Sequence, residues 1–417
     1  MQSGRIKKAD LKRKYEEELH ANEIVLLAYY IASINIENTY HDLIGAKEDE
    51  YQNFEGICLT DTFQLNEDEG KMPYSEYFPK NVKRVQKQKE TPITVIISNP
   101  PYSVGQKSEN DHAQNQKYDN LDKRVAETYV KNSKAKLSKG TYDTYIKAFR
   151  WASDRLDKTG GIIGFVSNGS WIDGNAMDGF RYCLEKEFSS IYVFNLRGNQ
   201  RTSGETSRKE GGKIFGSGSR MPISITILVK NPNRITEKAT IYYHDIGDYL
   251  SREEKLKIVS DFGTVTNPKF KMEVLQPNDH NDWINHRNEV FNQFISLIDI
   301  DKKGSDKAFF YLKSNGISSG RDAWVYNYSK RLVNDNCFRT LSFYNTQRVD
   351  YHKSKSNEDE QSETTISYDP TKISWTDVFL RDLKKNIPYS SSVLKTTEAL
   401  YRPFTKMCLR YDKILLH

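Results

Sequence analysis

Apolar residues fall in short dense runs separated by long polar stretches, and the spacing inside each run predicts its element. Residues 6–18 are charged with helical spacing, 19–24 read as a short strand, and 25–40 as an apolar helix. Residues 56–63 form a second short strand, and the polar stretch 66–92, with Pro73 and Pro79, reads as a loop. Thr94-Val95-Ile96-Ile97 is short and rich in β-branched residues, which predicts a buried strand. Pro100 and Pro101 stop it, since neither can donate to a sheet ladder. The polar segment 106–139 is too long for an ordinary connection. A helix over 142–156, a strand over 162–166, a helix over 176–188 and a strand over 191–196 follow. After a loop over 197–220 comes the strand 223–230. Strands alternating with helices predict an α/β fold with a doubly wound sheet. From Thr240 the pattern changes: a strand over 241–246, a helix over 252–259, then short apolar pieces between polar turns, with a hydrophilic stretch over 350–367. This divides the chain into residues 1–247 and an α+β region, 248–417.

The turn Asn99-Pro100-Pro101-Tyr102 is the strongest chemical signal. It falls at the carboxyl end of a strand, where open α/β sheets place their sites. An exocyclic amine on a nucleobase is a poor nucleophile, because its lone pair is delocalised into the ring. Two acceptors gripping its N–H groups draw the lone pair out of conjugation. The Asn99 side-chain carbonyl is one acceptor, and the Pro100 backbone carbonyl, held by the rigid prolines, is the second. Tyr102 offers a face on which a flipped-out base stacks. The plain alternative is a Pro-Pro turn after a core strand.

Charged residues make up 28% of the 417, with net charge +6 and pI near 8.8. That excess suits an acidic partner without requiring one. It concentrates in the loop 197–220, where Arg197, Arg201, Arg208, Lys209, Lys213 and Arg220 are candidates for phosphate contact, or form a solvated loop. Cys58, Cys183, Cys337 and Cys408 are far apart, which points to reduced thiols of a cytoplasmic protein and no metal site. The longest apolar stretch, 24–36, is short of the roughly 20 residues that cross a membrane.

The tetrapeptide resembles motif IV of amino-methyltransferases that use S-adenosylmethionine. Together with Ala148-Phe149-Arg150-Trp151, Gly161-Ile162-Ile163-Gly164-Phe165-Val166 and Asn195-Leu196-Arg197-Gly198-Asn199-Gln200-Arg201-Thr202, it resembles the adenine-N6 methyltransferase part of single-polypeptide type I (type ISP-like) restriction–modification enzymes. Tyr401-Arg402-Pro403-Phe404-Thr405-Lys406 resembles a segment leading into target recognition. The resemblance implies a class I methyltransferase sheet and methylation of a flipped adenine in double-stranded DNA. It also implies Glu23 on the cofactor ribose and Asp61 on the cofactor adenine. Read without it, Glu23 is a solvated residue at a helix start and Asp61 a turn cap. The family's glycine-rich cofactor motif, expected before Glu23, finds no match in residues 1–20, so the resemblance implies an internal fragment of a longer enzyme. An upstream helicase or nuclease polypeptide is then the expected partner, and the sheet is expected to lack its central first strand. The alternatives are a non-catalytic DNA-binding remnant and a protein-glutamine methyltransferase.

Overall fold

The computed structural model describes residues 6–45, 50–67, 78–101, 118–135, 139–215, 220–285, 287–299, 308–310, 316–317, 319–355, 366–390, 395–401 and 405–411. Tyr102 and residues 1–5, on which the sequence places expectations, lie outside them. The chain forms two compact units, residues 1–288 and 289–417.

In the first unit, α1 (Lys8–Arg13) continues as a wider helical turn through Glu18. Strand β1 (Ala21–Glu23) leads into α2 (Leu26–Ile44), which ends on Gly45 in the left-handed conformation. Strand β2 (Ile57–Leu59) pairs in parallel with β1. Residues 79–90, expected as loop, are instead helix α3 (Pro79–Glu90). Proline opens it at the one place where its missing N–H costs nothing, Lys87 and Lys89 favour its last turn, and Val85 is buried beneath it.

Strand β3 (Val95–Ser98) follows. Much of the polar insertion is also helical: α4 (Asp119–Val125) runs on as a wider turn, Ala126–Val130. Tyr118, Leu121, Val125 and Tyr129 recur at helical spacing and are all buried, which is what roots this segment in the core. Then come α5 (Thr144–Arg155), β4 (Gly161–Asn168), α6 (Asp178–Glu187), β5 (Ser190–Arg197), α7 (Gly204–Glu210), β6 (Ile223–Lys230), β7 (Thr240–Asp245), α8 (Arg252–Phe262) and β8 (Glu273–Leu275).

These strands form a six-stranded mixed sheet in the order β3-β4-β6-β5-β7-β8. Strand β6 runs antiparallel between β4 and β5, while β3–β4 and β5–β7 are parallel. One face, with Ile163, Phe165, Ile191, Val193 and Leu228, packs against Phe149, Trp171, Phe180 and Leu184. On the other, Phe194, Leu196 and Ile223 pack with Ile258 and Phe262 of α8.

The expectation of a buried β3 is corrected. Val95 is 55% and Ile97 83% exposed, and only Ile96 packs on the core. Val95 and Ile97 point to the face opposite Ile96. Among the described residues that face is uncovered, since Ile162 in register with Val95 is 41% exposed as well. Among the same residues nothing pairs with the outer edge of β3. The outer edge of β1 is likewise open, and Leu27, Tyr30, Ile31 and Ile34 form an exposed apolar stripe along α2.

The units divide after Asn288 rather than at 247. Strand β8 pairs with β7, and Trp283 packs on Trp171 and donates its ring N–H to buried Glu185 at 2.8 Å, so residues 248–288 belong to the first core. In the second unit β9 (Ser296–Ile298) and β10 (Ala308–Phe310) are a parallel pair. Helices α9 (Asp322–Val325), α10 (Lys330–Lys355) and α11 (Asp377–Lys384) pack with the antiparallel sheet β11 (Tyr326–Asn327), β13 (Lys406–Tyr411) and β12 (Lys395–Leu400). Their core holds Cys337, Tyr344, Phe379, Leu383, Tyr389 and Leu409.

Candidate active site

The turn after β3 is positioned by the strand's pairing with β4 and by an anchor at the strand entrance. Ile96 and Ile97 lie in register with Ile163 and Gly164 of β4. At the strand entrance, Arg155 donates to the carbonyls of Gln88 and Thr91 at 2.6 and 2.7 Å, so the end of α3 and the approach to β3 are tied to α5. The chain leaves the sheet at Ser98, with Asn99 exposed and Pro100 buried beside it. Burying the ring of Pro100 fixes the backbone while leaving the Asn99 amide free to reach a ligand.

Glu23 and Asp61 come together at the carboxyl ends of the parallel pair β1 and β2. Glu23 lies in register with Leu59, and the Thr60 N–H donates to the Glu23 carbonyl at 2.9 Å. Asn81 of α3 holds this end, accepting from the Leu59 N–H and donating to its carbonyl at 2.8 and 2.9 Å. The Glu23 side chain turns onto the backbone that enters α2: Oε1 accepts from the N–H groups of Ile24 and Val25 at 2.9 and 3.0 Å. That satisfies donors left open at the start of α2. Oε2 has no hydrogen bond among the described residues.

Asp61 Oδ1 accepts from the Phe63 N–H at 2.9 Å, the turn-capping contact, and Oδ2 accepts from the Tyr118 hydroxyl at 2.6 Å. Tyr118 is buried, and burial together with the neighbouring carboxylate pushes its phenol pKa well up, so it stays a donor. Sequence reasoning missed both Asn81 and Tyr118. The signal for Tyr118 was the spacing of the apolar residues that follow it. No described contact joins Glu23 or Asp61 to Asn99.

The basic loop is anchored rather than loose. Arg197, with φ +55°, donates from Nε to Asp245 at 2.7 Å and pairs with Asp248 through Nη1. Lys209 lies 3.9 Å from Asp248 and Arg208 3.5 Å from Glu205. Arg201, Lys213 and Arg220 have no ion-pair partner among the described residues. Cys58 is buried and its thiol is pushed up to about 11, so it is no nucleophile. Among the described residues no group of three side chains with metal-ligand character occurs, and no helix is long and apolar enough to cross a membrane.

The first unit thus carries an Asn-Pro-Pro turn at the carboxyl end of a strand in a mixed sheet, and a separate compact unit follows it in sequence. Residues 14–200 match the Eco57I restriction-modification methylase family, and residues 308–417 match the Type ISP C-terminal specificity domain. Both matches point to restriction–modification enzymes of the Type ISP kind as what the chain resembles. It is similar over its whole length to the Type ISP enzyme LlaGI, solved as a nuclease-deletion mutant with a DNA substrate mimic, at 45% identity and TM-score 0.82. The ATP-dependent Type ISP enzyme LlaBIII bound to DNA matches the whole chain at 37% and 0.84, and DrdV, in a DNA complex, matches 98% of it at 32% and 0.80. The chain spans 33%, 27% and 39% of those three chains. No curated protein matches it.

Proposed function

We propose that this chain forms the modification part of a site-specific adenine-N6 DNA methyltransferase that draws its methyl group from S-adenosylmethionine and acts on a base flipped from the duplex. The observation that carries the reading is the Asn99-Pro100 turn, exposed at its amide and buried at its ring, at the carboxyl end of a parallel strand. The order β3-β4-β6-β5 with β6 antiparallel fits a class I methyltransferase sheet, and the complexes of LlaGI with a DNA substrate mimic and of LlaBIII with DNA support DNA as partner.

The donor set fits the adenosine end of the cofactor. Glu23 presents at the end of β1 an Oε2 with no hydrogen bond among the described residues, suited to vicinal hydroxyls. Asp61, held by Tyr118 and Phe63, keeps lone pairs for an amine. S-adenosylmethionine, when bound, supplies an electrophilic methyl group. Asn99 accepts one N–H of the target amine and the Pro100 carbonyl the other, which raises the nucleophilicity of the nitrogen. Tyr102 stacks the flipped base, and the amine proton leaves to solvent after transfer, so no charged base is needed.

The open edges of β1 and β3 support a further element of this reading: a parallel strand from another segment, such as an upstream helicase or nuclease polypeptide, completes the sheet between them. The test is therefore made on the chain with that strand supplied as an N-terminal fusion. Asn99→Ala is expected to abolish labelled methyl transfer to DNA with unchanged far-UV circular dichroism, since such an acceptor is worth about 3–4 kcal/mol in a transition state. Activity within a few-fold of the parent would remove Asn99 from the mechanism.

A further inference from the structure

Lys255 of α8 is wholly buried, yet carries out no step in the chemistry above. Its Nζ donates to the carbonyls of Glu210 and Gly212 at 2.7 and 2.8 Å, the last residue of α7 and the turn just after it. Those carbonyls would otherwise lie open at a helix end, where a cation is also favoured by the dipole. The backbone at this point runs directly over another segment. A Cβ on Gly211 would meet the Leu250 carbonyl at 2.2 Å, and one on Gly212 the Arg252 N–H at 2.5 Å. The Gly212 N–H donates to the Leu250 carbonyl at 2.8 Å, and the Tyr249 N–H to the Lys209 carbonyl at 3.0 Å. Arg252 Nε donates to the Ile214 carbonyl at 2.7 Å. The Gln200 N–H donates to the Arg220 carbonyl at 3.0 Å, closing the loop base. The charged groups facing Lys255 are Arg197, Glu210 and Asp245. Arg197 and Asp245 bond each other, so the ammonium is committed to the two carbonyls.

The cations of this loop divide into two sets. Arg197, Arg208 and Lys209 lie against carboxylates. Arg201 and Arg220 are exposed, Lys213 is half-buried, and none of the three has an ion-pair partner among the described residues. A phosphate contact needs a cation that is unengaged and already in place, because ordering a loose loop on binding costs affinity.

We propose that Lys255 is the positioning residue for a duplex-DNA phosphate contact made by Arg201, Lys213 and Arg220, while Arg197 and Lys209 brace the loop against Asp245 and Asp248 and Arg208 pairs within α7. The proposal rests on the reading of the chain as a DNA-acting methylase, but its test reads binding rather than methylation.

The full 417-residue chain is titrated with a fluorescent DNA duplex over a range of KCl concentrations. Arg201→Ala, Lys213→Ala and Arg220→Ala are each expected to lower the slope of log affinity against log salt by about 0.9. Lys255→Met is expected to weaken binding and to lower the same slope by up to about 2.7, the share of three phosphates at about 0.9 each. Added to the triple alanine variant, Lys255→Met is expected to change nothing further, because it acts only through those cations. Additive losses overturn the positioning role, and a triple variant that binds like the parent overturns the proposal while leaving the DNA reading intact. Absence of duplex binding by the parent overturns both. Hydrogen exchange supplies the readout that needs no DNA: the Gly212 and Tyr249 amides are expected to exchange faster in Lys255→Met, with the β4 and β6 amides unchanged. Unaltered exchange at those two amides overturns the pin.

Discussion

The hydroxyl of Tyr118 is the contact that most changes the picture of the proposed cofactor end. It donates to Asp61, a residue far away in sequence, from the N-cap of α4 inside the polar insertion. A hydrogen bond to a charged acceptor contributes about 1.5–3 kcal/mol. Tyr118→Phe keeps the ring against Phe63 and removes only the donor. The expected outcome is a loss of stability of about 1.5–3 kcal/mol in urea denaturation, with weaker binding of adenosine-containing ligands because Asp61 is left free to rotate. Unchanged stability and binding would show that the Phe63 N–H alone holds the carboxylate. The same residue shows why Glu23 and Asp61 could be placed from sequence while their supports could not. A strand-end acid is a local pattern, whereas the partner of its second oxygen comes from a distant segment.

At the level of the element, β3 is where expectation and structure part. Its composition is that of a buried parallel strand, and such strands are covered on both faces. Here Val95 and Ile97 face outward beside an unpaired edge. The prediction is that the isolated chain associates through this edge, and that Ile97→Lys reduces light scattering at a given concentration. The same change in the strand-completed fusion should lower its melting temperature, because the lysine then occupies an interface. Equal scattering by both proteins would place the sticky surface elsewhere, on the α2 stripe for example. Strands β4, β5, β6 and β7 were legible because their runs are long and their turns well marked. Helix α3 was not, since Pro79 reads as a loop signal unless it is recognised as the first residue of a helix. The 26-residue helix α10 escaped because apolar and polar residues are mixed around it with no clean stripe.

For the whole molecule, the division after Asn288 has a direct test. The second unit has its own aromatic core, with Tyr344 stacked on Tyr389 and Phe379 beside both. Arg321 lies on the Phe379 ring at 3.6 Å, and burial lowers its pKa to about 10. Residues 289–417 alone are therefore expected to unfold cooperatively and to keep a near-ultraviolet aromatic dichroism signal. A fragment beginning at 248 is expected to fare worse, because it carries β8 and Trp283 away from their partners in the first unit. A fragment 289–417 without near-ultraviolet signal would show that its core depends on the rest of the chain.

The antiparallel course of β6 has one more consequence. Arg197 at the end of β5 lies in register with Ile223 at the start of β6, so everything between them leaves the sheet and returns to adjacent rungs. The stem of this excursion is not free to vary, because Gly211 and Gly212 pass over Leu250 and Arg252 with no room for a side chain and Lys255 holds the carbonyls of Glu210 and Gly212. An insertion between Gly198 and Gly204 is therefore expected to leave the register of β5 and β6 intact, whereas one at Gly211 or Gly212 is expected to unseat α8.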